Sequence, residues 1–102
     1  MREDRLTATY LLASRKYGTL YLGSALDLIK RVGEHRDGTA SAFTPKYGVT
    51  RLVWYEPFML VVEARDREYE MKKWRRDWKI NLIEHENPHL DDLFPNLIGA
   101  KV

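Results

Sequence analysis

Apolar and polar positions fall into short blocks along this chain, and the periods of those blocks predict its elements. Residues 7–13 (TATYLLA) are β-branched, aromatic and aliphatic, and predict a strand. Lys16-Tyr17-Gly18 supplies a turn, and Thr19-Leu20-Tyr21-Leu22-Gly23 reads as the returning strand of a hairpin. Tyr10 and Tyr21 then sit on neighbouring strands and approach each other if the register puts them on one face. Ser24 reads as an N-cap, with Asp27 three residues later completing a capping-box-like start. The helix that follows runs to about Asp37. Leu28, Ile29 and Val32 give it an apolar face, whereas Arg31 and His35, four apart, share another. Gly33 costs this helix roughly 1 kcal/mol against alanine, and a close packing contact is its expected reason.

Residues 38–50 (GTASAFTPKYGVT) read as a loop. Arg51-Leu52-Val53-Trp54-Tyr55-Glu56 is a third strand, ended by Pro57. A long helix is expected from about Val61 to Trp74 or beyond, with an apolar stripe of Val61, Ala64, Met71 and Trp78. Glu68 lies on that stripe. A carboxylate on a buried face is costly unless it is paired or bound to a cation. A further helical segment runs from Lys79 to Glu86 with Ile80 and Ile83 facing in. Asn87-Pro88 then reads as an N-cap and first-turn proline of a last short helix carrying Leu90, Leu93 and Phe94. The order of elements predicts an α+β domain, with a small three-stranded, mainly antiparallel sheet flanked by helices.

Composition narrows the picture. At 102 residues the chain is one domain, residues 1–102 with a core over about 7–94, and 44% apolar residues suffice for a core. Cysteine is absent, which excludes disulfides and thiolate zinc sites. The first five residues, Met1-Arg2-Glu3-Asp4-Arg5, lack the apolar run of a signal peptide, and no stretch approaches the roughly 18–20 apolar residues of a membrane span. A cytoplasmic protein with no membrane partner is the expectation. The net charge is only +2, but seven basic residues face four acidic ones between Arg65 and Lys79, with Trp74 and Trp78 interleaved. A local basic stripe of this kind binds phosphates even when the whole chain is nearly balanced.

The candidate chemistry lies in Tyr10, Tyr21, Arg31 and His35. Two phenols, a guanidinium and an imidazole that converge make a site for a phosphate: the guanidinium fork holds two oxygens, and the imidazole hydrogen-bonds or moves protons near neutral pH. Glu68 is a fifth member and a candidate metal ligand.

In this order and spacing the chain resembles the GIY-YIG nuclease domain, and within it the small single-domain bacterial group of YhbQ-like or UPF0213 proteins. The resemblance covers about Thr7 to Phe94. It is carried by Tyr10-Leu-Leu-Ala-Ser, Gly18-Thr-Leu-Tyr21-Leu-Gly23, Asp27-Leu-Ile-Lys-Arg31-Val and Glu34-His35. Phe43-Thr-Pro-Lys-Tyr47-Gly48-Val, Arg51-Leu-Val-Trp-Tyr-Glu56, Met71-Lys-Lys-Trp-Arg-Arg76-Asp-Trp-Lys79 and Asn87-Pro88 add to it. Ala8-Thr9 stand where Gly-Ile would precede the first tyrosine, Leu22 stands for isoleucine, and Gly33 replaces a bulkier residue. The resemblance implies an endonuclease that hydrolyses DNA phosphodiesters with one divalent cation, Mg²⁺ or Mn²⁺, held by Glu68. Tyr10 or Tyr21 would take the proton of the attacking water, Arg31 would stabilise developing charge, and His35 would orient a tyrosine or relay its proton. Lys46, Lys72, Lys73, Arg75 and Arg76 are candidate contacts to nucleic acid.

Each residue also has an ordinary structural role to set beside the functional one. Tyr10 and Tyr21 make an aromatic pair in a core. Arg31 pairs with Asp27 at i,i+4, worth only about 0.3–0.5 kcal/mol. Glu68 is salt-bridged to Arg65, Lys72 or Arg75, residues 72–79 form a solvated face, Asn87 is a helix cap, and His85 and His89 lie on the surface. Three functions follow: an endonuclease, structure-selective for branched or damaged DNA, with repair, recombination and defence all open as settings; a nucleic-acid-binding module with weak or lost catalysis, or a partner-dependent nuclease subunit; and an interaction protein using Trp54, Trp74 and Trp78. A homodimer is compatible with the first, since two cuts need two sites.

Overall fold

The most continuously apolar stretch of the chain becomes the middle of the sheet. Strand β1 (Ala8–Ala13) is buried at every position, and a strand with both faces buried requires cover on both. In the computed structural model, which describes residues 5–40 and 47–99, β1 pairs antiparallel with β2 (Leu20–Ala25) on one side and β3 (Arg51–Pro57) on the other, giving the order β2-β1-β3. The hairpin turn runs through Tyr17, which adopts a left-handed φ of 59°. The β1–β3 register slips between Leu11 and Leu12, so that Val53 stands as the extra residue of a bulge.

Side chains alternate across β1. Ala8, Tyr10 and Leu12 enter one core with Ala25, Val49, Leu52 and the helix residues Leu28, Val32 and Phe94. Leu11 and Ala13 enter a second core with Val53, Trp54, Met71, Ile83 and Leu90. Helices α1 (Leu28–Asp37) and α4 (Phe94–Gly99) therefore cover one face, and α2 (Val61–Met71) and α3 (Arg76–Glu86) the other. The α+β class, with an antiparallel three-stranded sheet and four helices among the described residues, is as the sequence implies. No helix among the described residues is long and apolar enough to cross a membrane.

Several local expectations need correction. Helix α1 is capped by Asp27, whose Oδ1 accepts the Lys30 N–H at 3.3 Å. Ser24 is not the N-cap; it remains in β2, because its side chain is used across the sheet. The helix ends at Gly38, in the left-handed conformation with φ 83°. Gly33 has no packing reason: a Cβ there would meet nothing within 4 Å. The long helix is shorter than expected, and the segment expected from Lys79 starts three residues earlier. The first ends at Met71 and the second begins at Arg76, which lets Met71 and Ile83 both enter the second core. Trp78 belongs to α3 and is 48% exposed, so it is not part of the α2 stripe. Ile83 is buried and Ile80 half-buried, as expected.

Asn87 is the C-cap of α3 rather than the N-cap of the next helix. Its Nδ2 donates to Val53 O (3.0 Å) and Asp91 O (2.9 Å), and its Oδ1 accepts the Asp91 N–H (3.1 Å). Leu90 and Leu93 lie in the loop that this side chain holds, and only Phe94 is on the last helix. His85 and His89 are exposed. Of the loop at 38–50, residues 41–46 lie outside the described residues, and Lys46 with them.

Candidate active site

Strand β2 is an outer strand, and the candidate residues gather along it. Tyr10 faces Gly23 across the β1–β2 ladder, and Tyr21 faces Leu12 two residues further along. Both tyrosines thus point to the α1 face, and their ring centroids are 6.4 Å apart. Gly23 is what admits the first of them. A Cβ there would lie 2.6 Å from the Tyr10 hydroxyl oxygen and 2.7 Å from its Cζ, closer than real contacts allow. The ring of Tyr10 therefore lies flat over the glycine, and no other residue type fits beneath it.

His35 comes to the same place from α1. It was expected to share a face with Arg31, apart from the apolar stripe. Instead it is 1% exposed and continues the buried row Leu28, Val32, His35, at the i, i+4, i+7 spacing of a helix face. Its Nε2 is 2.9 Å from the Tyr10 hydroxyl, and its ring is 4.9 Å from that of Tyr21, edge-on at 62°. Three rings thus form one cluster. Arg31, one turn earlier, keeps its side chain 44% exposed at the rim, with Nε 3.3 Å from Glu34 Oε1. The ion pair expected as its ordinary role is thus made with Glu34 at i+3.

Burial sets the protonation of this cluster. It raises the Tyr10 phenol well above its ordinary value, with the charges of Tyr21 and Glu68 adding to the rise and that of Arg31 opposing it. Burial lowers the His35 pKa below 6.5, and the positive charge of Arg31 lowers it further, against a smaller opposing effect of Glu34. At pH 7 both side chains are neutral, and one proton joins them.

The sign of the consequence follows. The unfolded chain binds the imidazole proton more readily than the folded one, so the contribution of His35 to stability is complete above about pH 6.5 and is lost as the pH falls through that value towards the lower folded pKa. The melting temperature of the protein is expected to fall over that acid range. In His35→Gln the same series, followed by circular dichroism from pH 8 to pH 5, should be flatter; an equally steep fall would assign the loss to other groups.

Glu68 approaches from the opposite face. Ser24 pairs with Thr9, whose hydroxyl donates to Ala64 O of α2 at 2.7 Å, so both side chains point to the α2 side. The Ser24 hydroxyl donates to Glu68 Oε1 at 2.6 Å, and Lys72 Nζ lies 3.1 Å from Oε2. The ordinary pairing of Glu68 with Lys72 is therefore present. The carboxylate side chain is 20% exposed, and its charge is felt by the Tyr10 phenol. The five residues thus straddle β2: three rings and Arg31 on the α1 side, Glu68 on the α2 side.

The donor set bears on which cation suits it. Among the described residues no group of three or more His, Asp or Glu side chains is placed to enclose a metal. A lone carboxylate, with one oxygen oriented by a hydroxyl, fits a hard cation that keeps most of its water, as Mg²⁺ does, and not one that needs a cage of nitrogen or sulfur.

The other candidate contacts divide. Lys73 Nζ lies 4.5 Å over the Tyr69 ring, and Arg75 lies over Trp78 at 5.2 Å with Asp77 Oδ1 at 3.5 Å. Arg76 is structural as well as charged: its NH2 group donates to Tyr17 O (2.9 Å) and Gly18 O (2.7 Å), tying α3 to the hairpin turn. The sequence marks Gly23 as part of a motif and Ser24 as an N-cap, and predicts neither in its role here. A glycine inside a strand is the signal for the first; nothing local signals the second.

Comparison with known proteins identifies the family of the chain. The model of one protein family, described as the GIY-YIG catalytic domain, matches residues 7–81. The UPF0213 protein of Staphylococcus saprophyticus is 40% identical over 68 residues, spanning 67% of this chain and 83% of that one. The UPF0213 protein of Clostridium perfringens is 36% identical over 69 residues, 68% of this chain and 74% of that one. The solution NMR structure of the UPF0213 protein of Bacillus halodurans superposes with a TM-score of 0.49 at 31% identity, covering 79% of this chain and 85% of that one.

Proposed function

The chain belongs to the GIY-YIG family, a family of endonucleases, and on that premise we propose that it hydrolyses DNA phosphodiester bonds with one divalent cation, Mg²⁺ or Mn²⁺, preferring branched or damaged duplexes. The observation that carries the reading is the meeting of the Tyr10–His35–Tyr21 cluster and Arg31 with Glu68 across one outer strand.

Each residue has a role that its surroundings support. Tyr10 keeps its proton, since burial raises its pKa, and with His35 it fixes the position of Tyr21. Tyr21 is half-buried and takes the proton of the attacking water as its own phenolic proton passes to neutral His35 beside it. Arg31, at the rim, holds phosphate oxygens and stabilises the charge that develops on them, a role worth several kcal/mol. Glu68, oriented by Ser24, holds the cation, and Lys72 leaves the carboxylate for the phosphate backbone. That exchange is cheap, because the Lys72 side chain is 60% exposed and exposed ion pairs contribute roughly 0–1 kcal/mol. When bound, the cation supplies Lewis-acid stabilisation to the phosphate and leaving oxygen. Lys72, Lys73 and Arg75 line the approach of the nucleic acid.

Lys72 on Glu68 also favours a second reading, a binding module whose carboxylate is already neutralised. One experiment separates the two: single-turnover cleavage of linear duplex, flap, fork, four-way junction and single-stranded RNA, each in Mg²⁺, Mn²⁺ and EDTA. Metal-dependent cutting, faster on branched than on matched linear duplex, is the expected result. Binding with no cutting in either metal would establish the second reading, and equal rates on linear and branched DNA would remove the structure preference.

A further inference from the structure

Two concave surfaces lie at opposite ends of β2. The one beside α1, about 220 Å³, is lined by Arg5, Lys30 and Arg31 but also by Asp27 and Glu34. The other, about 310 Å³, lies between Thr19 and Leu20 at the start of β2 and Arg76 and Lys79 on α3. Every charged residue lining the second is basic. Arg76 is held in place there by its two bonds to backbone carbonyls, so its guanidinium charge is fixed before any ligand arrives. A preset cation loses little freedom on binding an anion. Lys79 is half-buried and has no ion-pair partner among the described residues. The chemistry is that of a phosphate site, and nothing in the proposed cleavage uses it.

We infer that this concavity is a subsite for a backbone phosphate of the nucleic acid, flanking the phosphate that is cut. The inference takes its ligand from the nuclease reading. Leu20 and Ser24 are four residues apart on β2, about 13 Å at roughly 3.3 Å per residue. That distance corresponds to about four base steps at 3.4 Å of axial rise. A strand lying along β2 with one phosphate at the Ser24–Glu68 end of the site thus presents another to Arg76 and Lys79. The mixed charge of the concavity beside α1 makes it the weaker end, so the nucleic acid is held asymmetrically about the cut.

The test is the salt dependence of binding, measured by fluorescence anisotropy on a flap duplex in EDTA, where nothing is cut. Each phosphate neutralised contributes about 0.9 to the slope of log affinity against log salt. Lys79→Gln is expected to lower the slope by about 0.9, so that raising salt from 50 to 200 mM weakens it about threefold less than wild type. Lys79→Arg should restore the slope. Thr19→Glu, which sets a carboxylate on the exposed rim, should weaken binding about threefold or more at 50 mM salt, and it decides the matter should Lys79→Gln lower the melting temperature.

An unchanged slope in Lys79→Gln, with unchanged affinity in Thr19→Glu, would overturn the subsite. So would inorganic phosphate that binds at Lys79 while the slope for DNA stays the same, since the concavity would then serve a free anion. The reduced slope in a protein that binds but never cuts would sink the nuclease reading and leave the subsite standing.

Discussion

Glu68→Gln is expected to lower single-turnover cleavage by about 10²–10³-fold while leaving the fold and the affinity for DNA in EDTA intact. The substitution keeps the Ser24 hydrogen bond, because an amide oxygen accepts as the carboxylate oxygen does at 2.6 Å. It removes the charge, and with it the ligand proposed for the cation, whose contribution of several kcal/mol sets that range at about 1.4 kcal/mol per tenfold. Ser24→Ala is the companion. It leaves the carboxylate but frees its orientation, and loss of such a supporting contact typically costs about 10–100-fold in metal affinity. High Mg²⁺ should therefore rescue Ser24→Ala and not Glu68→Gln. If Glu68→Gln cuts at the wild-type rate, the cation is held elsewhere or is not needed.

The second large effect comes from a residue with no functional group. Gly23→Ala puts a Cβ where the Tyr10 hydroxyl and Cζ now lie, at 2.6 and 2.7 Å. The ring cannot yield without loss. It is 1% exposed, and its hydroxyl is held at 2.9 Å by His35. Relief requires the ring to swing, breaking that bond and displacing Tyr21 and His35. The expected result is a stability loss of about 1–3 kcal/mol, typical of overpacking, together with a fall in cleavage of about 10²-fold, as a 1 Å misplacement of reacting groups produces. Urea unfolding and single-turnover rates measure the two separately. Loss of stability with full activity would show that the ring cluster packs the sheet but takes no part in the chemistry.

The sequence made some of this legible and hid the rest, for identifiable reasons. The strands were readable because β-branched and aromatic residues cluster at 7–13 and 51–56 and hydrophobicity drops sharply at the turn. Helix α1 started three residues late because Ser24 and Asp27 are both good caps, and what decides between them is Glu68, 44 residues away. The position of the break between α2 and α3 has no local signal: Lys72, Lys73, Trp74 and Arg75 contain neither glycine nor proline. Across it, Met71 and Ile83 both enter one core. Asn-Pro is a fair start signal for a helix, and it misled because the Asn87 side chain is engaged by Val53 O across the fold. His35 was readable in its place but not in its burial; the spacing from Leu28 and Val32 held that information, and the polar character of imidazole masked it. Of the site, the five residue types and their order were legible, whereas their arrangement on two sides of β2 depends on register, which sequence alone leaves open.

The Ser24–Glu68 contact has a consequence for how the molecule folds and frays. Tyr10, Tyr21, Arg31 and His35 all lie within 26 consecutive residues, on a hairpin and the helix that follows it, and contacts of such short sequence separation form early. Glu68 lies outside that unit, on a helix joined to it through β3. One side of the candidate site is thus built from a local unit, and the other is packed onto it. Opening of α2 away from β2 would separate the two sides without unfolding either. Such an opening would abolish the proposed cleavage while the aromatic cluster was still intact and ready to be completed again.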